Sequence, residues 1–324
     1  MKTILILAMS CRADYFCKQI DIIKKTWANN LPDGISFGYY DGAWPEPSID
    51  DEDGFLHIKV STPDSLDYTL LKTVEGVSSI VKKYDYIMRV NTSTWVNVKL
   101  LRKFVDEIAN EDTIYASELY SLSEAATPFP LIIYPRGNAF MMSQKMWMTF
   151  IMESLPLRFV KQVDDVSIGS IMNSWMIKNN INLLEHYYSW PHGWYKCTKS
   201  NPNTGHALCR FGENGDVNFY KDFMTVQTKQ YRARENELIN MEEFGRMMQD
   251  IKDPSLDVCI KYAKDPSVFI GSALGYIPLS VWKNIDKNKL YKIETDHKAI
   301  DDKQNKNFVQ EEYDKLHYVP GMKK

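Results

Sequence analysis

The first third of the chain alternates short apolar runs with longer segments of helical spacing. No other feature of the sequence limits the fold as much. "TILILAMS" is apolar almost throughout, as a strand buried on both faces must be. "YFCKQIDIIKKTWANN" places apolar residues three and four apart, the period of a helix with one buried face. "GISFGYY" reads as a second strand ending at Asp41-Gly42, and the acidic "AWPEPSIDDEDG" as a loop. "FLHIKV" is a short strand, and "PDSLDYTLLKTVEGVSSIVKKY" a helix opened by Pro63 and Asp64. "YDYIMRV" is a fourth strand, with a helical segment after the turn that follows it. This succession predicts an α/β, Rossmann-like fold, in which helices flank a mixed, mostly parallel sheet. Ligands of such sheets gather at the carboxyl ends of the strands. Ser10, Asp41 and Asn91–Ser93 all fall there and are expected to share one crevice.

Further along, "TIYASELYS" and "LIIYPRGNAFMMS" read as strands, "QKMWMTFIM" and "VDDVSIGSIMNSWMIKNN" as helices. Asp164 and Asp165 open the last of these. From about residue 183 the periodicity weakens into a long aromatic loop punctuated by Gly and Pro, of a length usually tied to function or mobility. "FYKDFMTVQTKQY" is a strand candidate and "RENELINMEEFGRMMQDI" a helix. The expected division is a catalytic-type domain over 1–250 and a lysine-rich extension over 251–324, helical or loop-rich.

The chain has 324 residues, enough for a sizeable core, and its 44% hydrophobic and 25% charged fractions are those of a globular protein. A net charge of -3 demands no nucleic-acid partner. No window reaches the roughly eighteen apolar residues of a membrane span. "MKTILILAMSC" superficially resembles a signal peptide, but its apolar run is short and no small-residue cleavage site follows. It is read as the first strand, without an anchor. The five cysteines are odd in number and lack a CxxC pair, which suggests reduced thiols and a cytoplasmic location. Cys197 and Cys209 lie near His192 and His206, at spacings that fit no standard zinc pattern.

Several stretches, in order, resemble the Fringe and beta-3-galactosyltransferase type of glycosyltransferase. "IIKKTW" is similar to that family's basic first helix, and "FGYYDG" to its strand ending in Asp-Gly. "DYTLLKTVEG" is similar to its Asp-x-Tyr helix. "YDYIMRVNTSTWVN" is similar to its strand ending in an acidic triplet, and "VDDVSIGSIM" to its Asp-Asp segment. "YPRGNAFMMS" is a looser match. The resemblance covers roughly residues 1 to 180 and implies a GT-A fold, a nucleotide-sugar donor, most plausibly a UDP-sugar, and transfer with inversion.

Sugar transfer expels a diphosphate, whose developing charge must be met, and frees a proton from the acceptor hydroxyl, which needs a base. The resemblance gives the base role to Asp165, with Asp164 in support. The bland alternative is that both cap a helix. Asp41 would contact the nucleotide; otherwise it is a turn residue. Ser10 and Arg12 could touch the same nucleotide. Lys72 could reach the diphosphate or lock a neighbouring turn by ion pairing. Trp27 and Trp95 read as core. His186, His192 and His206 compete for a family histidine that ligates metal, and none is assigned.

The triplet itself departs from the pattern. Where the family has carboxylates for a divalent metal such as Mn or Mg, this chain has Asn91-Thr92-Ser93. Neutral oxygens can hydrogen-bond a phosphate but supply no charge to hold a hard cation. Arg89, Lys72 or Arg136 could stand in electrostatically, so both Asn91 and Ser93 are expected to face the donor. This leaves open a protein of another class, one that binds a nucleotide sugar without turning it over. The acceptor would be a saccharide or, as a minority reading, a hydroxymethylated base in phage DNA. Richness in Lys, Asn and Ile hints at an AT-rich bacterial or viral genome. Lys196, Lys199, Arg210, Lys229, Arg232 and Arg234, interleaved with aromatics, would hold such DNA; scattered charge is more often a solvated surface.

Overall fold

A computed structural model describes residues 1–122, 132–155, 164–181, 186–190, 192–195, 210–211, 220–228, 236–249, 251, 254–256, 269–272 and 277–278. The chain runs β1 (Ile4–Met9), α1 (Asp14–Lys25), β2 (Ile35–Asp41), β3 (Ser48–Glu52), β4 (Phe55–Lys59), α2 (Thr69–Ser78), β5 (Tyr86–Asn91) and β6 (Thr94–Val96). It continues through α3 (Val98–Glu107), β7 (Tyr115–Leu122), β8 (Ile132–Ser143), α4 (Gln144–Glu153) and α5 (Asp164–Lys178). Then come β9 (Tyr187–Ser189), β10 (His192–Trp194), β11 (Arg210–Phe211), β12 (Thr225–Gln227), α6 (Glu237–Met247), β13 (Phe269–Ser272) and β14 (Ile277–Pro278).

The fold is α/β. The main sheet has the order β14-β13-β7-β8-β5-β1-β2-β4-β3, with β9 also on β7. β4, β2, β1 and β5 form its parallel half, while β8 runs antiparallel between β5 and β7. The apolar run of β1 explains why it lies at the centre. Ile4, Ile6 and Ala8 pack on one face with Ile20 and Ile23 of α1, Leu101 and Phe104 of α3, and Phe244 of α6. Leu5 and Leu7 pack on the other with Val74 of α2, Trp147 of α4, and Ile168 and Met172 of α5. Side chains alternate across a strand, so one apolar segment serves two cores. Trp27 and Trp95 are core residues, as expected.

After Asn91 the chain leaves the main sheet and enters a small one, β11-β10-β12-β6. β6 pairs antiparallel with β12, and Asn97 caps α3 by accepting from the Leu100 N–H at 3.1 Å. No helix among the described residues is long and apolar enough to cross a membrane.

Three expectations change. The acidic "loop" contains β3, which forms a two-residue hairpin with β4. Its turn is Asp53-Gly54, both at positive φ (57° and 81°), the conformation that suits the twist of paired strands. α2 begins at Thr69, not at Pro63, because the Asp64 carboxylate is engaged elsewhere: it accepts from the backbone N–H groups of Arg12 and Gly42. Within the C-terminal extension, expected to be helical or loop-rich, Phe269–Ser272 form the strand β13, which pairs with β7 and is flanked by β14. Residues 279–324 lie outside the described residues.

Candidate active site

The parallel strands bring Met9, Asp41 and Asn91 to one edge, with Met9 in register with Asn91. β8 adds Gly137 and Asn138 beside the end of β5, and α5 starts directly over them. Asp164 and Asp165, the first residues of α5, are adjacent in sequence but do different things.

Asp164 is buried. Its Oδ2 lies 2.7 Å from Arg89 Nη2 and accepts from the Thr73 hydroxyl at 3.2 Å. Arg89, on β5, is also buried. Its Nη1 donates to Asn91 Oδ1 at 2.8 Å and to the Gly137 carbonyl, and its guanidinium lies over the Phe140 ring. Burial disfavours the charge on Arg89, but Asp164, Tyr40 and Asp165 together more than offset it, so the arginine stays a cation. Arg89 therefore faces inward, engaged by Asp164, rather than standing in for a metal at a phosphate.

Asp165 is part-buried. Oδ1 accepts from the N–H of Val166 at 2.8 Å, and Oδ2 from that of Gly137 at 3.0 Å. Burial and then the Asp164 charge push its pKa up from 3.8 to about 6, against the two N–H groups and Arg89. A side chain at Gly137 would displace this carboxylate. A Cβ there would lie 2.6 Å from Asp165 Oδ2. The glycine is what lets the carboxylate sit against the strand backbone.

Lys72 takes the second of its two expected roles. Its buried ammonium donates to the Ser10 carbonyl at 2.7 Å and to Asp64 Oδ1 at 2.9 Å. Asp64 thereby joins the loops after β1 and β2 to α2. Sequence reasoning saw it only as a helix opener. Ser10 is buried, with its hydroxyl near the Cys11 carbonyl at 3.5 Å. Asp41 is buried at the end of β2, where Oδ1 accepts from Trp44 Nε1 at 2.5 Å and lies 3.0 Å from His57 Nε2. Arg12 is exposed and stacks 4.3 Å from the Trp44 ring. His57 and Trp44 were missed. Neither belongs to a motif, and each meets Asp41 only through the fold.

The triplet turns mostly inward. Asn91 is part-buried and its Oδ1 is held by Arg89. Thr92 donates to Gln19 of α1. Ser93 is buried: Oγ accepts from Gln227 Nε2 at 2.7 Å, and its carbonyl accepts from Thr228 N and Oγ1 at 3.1 and 2.9 Å. The expectation that Ser93 faces a donor is thus replaced by a role in docking β12.

These residues do not fit a tightly held divalent metal. Both candidate oxygens already accept hydrogen bonds from protein, and neither is a carboxylate. Among the described residues no group of three His, Cys, Asp or Glu side chains could hold one. His192 is buried on β10, within hydrogen-bond distance of Asn138 Nδ2 and Thr225 Oγ1. His186 lies on the far side of β7, its carbonyl bonded to Ile114. His206, Cys197, Cys209, Lys196, Lys199, Lys229, Arg232 and Arg234, and the side chain of Arg210, lie outside the described residues.

The fold and site define an α/β protein with a pair of adjacent carboxylates, one ion-paired and one with a raised pKa, at the carboxyl edge of its sheet. Two solved structures similar to the chain are both of the galactosyltransferase LgtC. One is a complex with donor and acceptor sugar analogues, at 12% identity and TM-score 0.40, covering 78% of this chain and 97% of that one. The other is an active-site mutant, at 11% identity and TM-score 0.41 with the same coverage. No family model matches the sequence, and no curated protein matches it.

Proposed function

We propose that this protein is a glycosyltransferase that takes a nucleotide-sugar donor, with Asp165 as the base. The observation that carries the reading is the seat of Asp165. Arg89 pairs with the neighbouring Asp164, while Asp165 has a raised pKa and a part-open position at the strand ends. A base works best when its pKa lies near the working pH. The order of the Fringe-like motifs along the chain supports a GT-A donor site and a UDP-sugar.

In the proposed reaction the acceptor oxygen bonds to the anomeric carbon as the bond from that carbon to the diphosphate oxygen breaks. Its electron pair leaves with the diphosphate, and the hydroxyl proton moves to Asp165. A single displacement inverts the anomeric configuration. The acceptor is a saccharide hydroxyl. No step passes through a metal, because the Asn91–Ser93 turn offers it no charge.

A second reading, a protein that binds a nucleotide sugar without turnover, is favoured by one observation: Asn91 and Ser93 bond inward. Incubation with a panel of nucleotide sugars and saccharides, reading nucleotide release, separates the two. Release that Asp165→Asn abolishes supports the enzyme. A thermal shift with UDP but no release from any donor supports the binding protein. Neither release nor shift overturns both.

A further inference from the structure

The edge hairpin β3–β4 holds a histidine that the reaction does not use. His57 is buried on β4, between Asp41 of β2 and Glu52 of β3. Its Nε2 lies 3.0 Å from Asp41 Oδ1 and its Nδ1 lies 2.7 Å from Glu52 Oε1. A neutral imidazole has one N–H and one lone pair. In this position that lone pair would face a carboxylate oxygen. Only the imidazolium, with two N–H donors, satisfies both neighbours.

We propose that His57 is a positioning residue whose second proton ties Asp41 to the edge hairpin, so that nucleotide affinity falls when that proton is lost. The proposal rests on the glycosyltransferase reading above, with Asp41 taken as a nucleotide contact. The path from His57 is short: Asp41 Oδ1 also holds Trp44, and the Trp44 ring carries Arg12 at 4.3 Å and Lys59 at 4.6 Å. Loss of the tie therefore loosens the carboxylate, the indole and the cation that line this end of β2.

The surrounding charges come from each element packed on the ring. β2 supplies Asp41 and Tyr39, whose ring stacks on His57 at 4.2 Å and whose hydroxyl donates to Glu52. β3 supplies Glu52 and Asp50, the latter in register with His57 and paired to Lys59 of β4 at 2.6 Å. From α1, Lys24 lies 5.1 Å over the Tyr39 ring. The loops add Trp44 and Arg12. Burial disfavours the imidazolium, but Asp41 and Glu52 outweigh it and raise its pKa above the ordinary value. The folded protein thus binds this proton more tightly than the unfolded chain does. The tie's stabilisation is present below the ordinary histidine pKa and is lost as pH rises through the raised one.

The test labels the imidazole nitrogens of the six histidines and follows them by NMR from pH 5 to 9, with His57→Gln to assign the signal. The expected result is a His57 doubly protonated at pH 7, with a midpoint lowered in Glu52→Gln. A neutral His57 at pH 7 overturns the proposal. UDP affinity is measured by calorimetry over the same range. It should fall at least about fivefold through the His57 midpoint in the wild type and stay flat in His57→Gln. A pH-independent UDP affinity beside a titrating His57 also overturns the proposal. UDP that binds at no pH, with His57 still charged at pH 7, instead overturns the donor reading beneath it. If His57→Gln does not fold, Glu52→Gln supplies both the assignment and the affinity comparison.

Discussion

Arg89 and Asp164 form an ion pair at 2.7 Å, with side-chain exposures of 1% and 6%. A buried pair is stabilising mainly in the sense that neither member can be removed alone. Arg89→Met should therefore cost about 3–5 kcal/mol, and Asp164→Leu a similar amount, by urea unfolding. The double variant should recover much of that loss, because no charge is then stranded. Additive losses would show that the pair is not the source.

Asp165 gives a paired pH signature. Its carboxyl titrates near 6 in the folded protein, against an ordinary 3.8. As a base it must be deprotonated, so kcat/KM should rise with pH and level off above about 6. Stability should move the other way. Between those two pH values the folded protein binds more protons than the unfolded chain, so stability falls as pH rises. Asp165→Asn should flatten the stability slope and lower turnover by about 10²–10⁴-fold while UDP binding persists.

Gly137→Ala places a methyl group 2.6 Å from Asp165 Oδ2, so the carboxylate must move. A misplacement of about 1 Å at a reacting group can cost about 10²-fold in rate. Turnover should fall by roughly that factor, with donor KM little changed, in steady-state kinetics. An unaffected kcat would mean that the seat of Asp165 is not the catalytic one.

Lys72→Met tests the division between donor contact and fold. Its ammonium already serves the Ser10 carbonyl and Asp64. The expected effect is a loss of about 3–5 kcal/mol by urea unfolding, from the stranded Asp64 carboxylate. At temperatures where the variant is folded, its UDP affinity should stay within about twofold, since the ammonium is already engaged by the Ser10 carbonyl and Asp64.

UDP affinity should likewise change less than about twofold between excess EDTA and millimolar Mn, as neutral oxygens hold hard cations weakly. Calorimetry reads this directly. A large gain with Mn would place a cation at the donor despite the Asn91–Ser93 turn.

The sheet and most helices are legible in the sequence because β1, β2, β4 and β5 are apolar runs and helices such as α1 and α3 carry clean periodicity. β3 was not, since its run "SIDDE" lacks the apolar alternation of a strand. It is held by pairing with β4, and the Asp-Gly turn was its one local signal. At the site, the motifs located Asp164, Asp165, Arg89 and Asn91 together. They did not reveal directions. Whether Arg89 faces a phosphate or Asp164, and whether Ser93 faces a donor or Gln227, depends on side chains distant in sequence. His57 and Asp64 were invisible for the same reason. Each acts through partners that only the tertiary fold supplies.

Ser93 and Gln227 are 134 residues apart in sequence, yet they share the hydrogen bond that seals the turn after β5. β6, two strands' worth of chain earlier than α4, likewise has no partner until β12 arrives. Closing so long a loop is entropically slow, and nothing rewards it before the strands meet. The parallel half of the main sheet can form during synthesis, but the floor of the site must wait for the chain to pass residue 228. The turn after β5 is thereby completed only late in synthesis, by residues that lie well beyond the strand it closes.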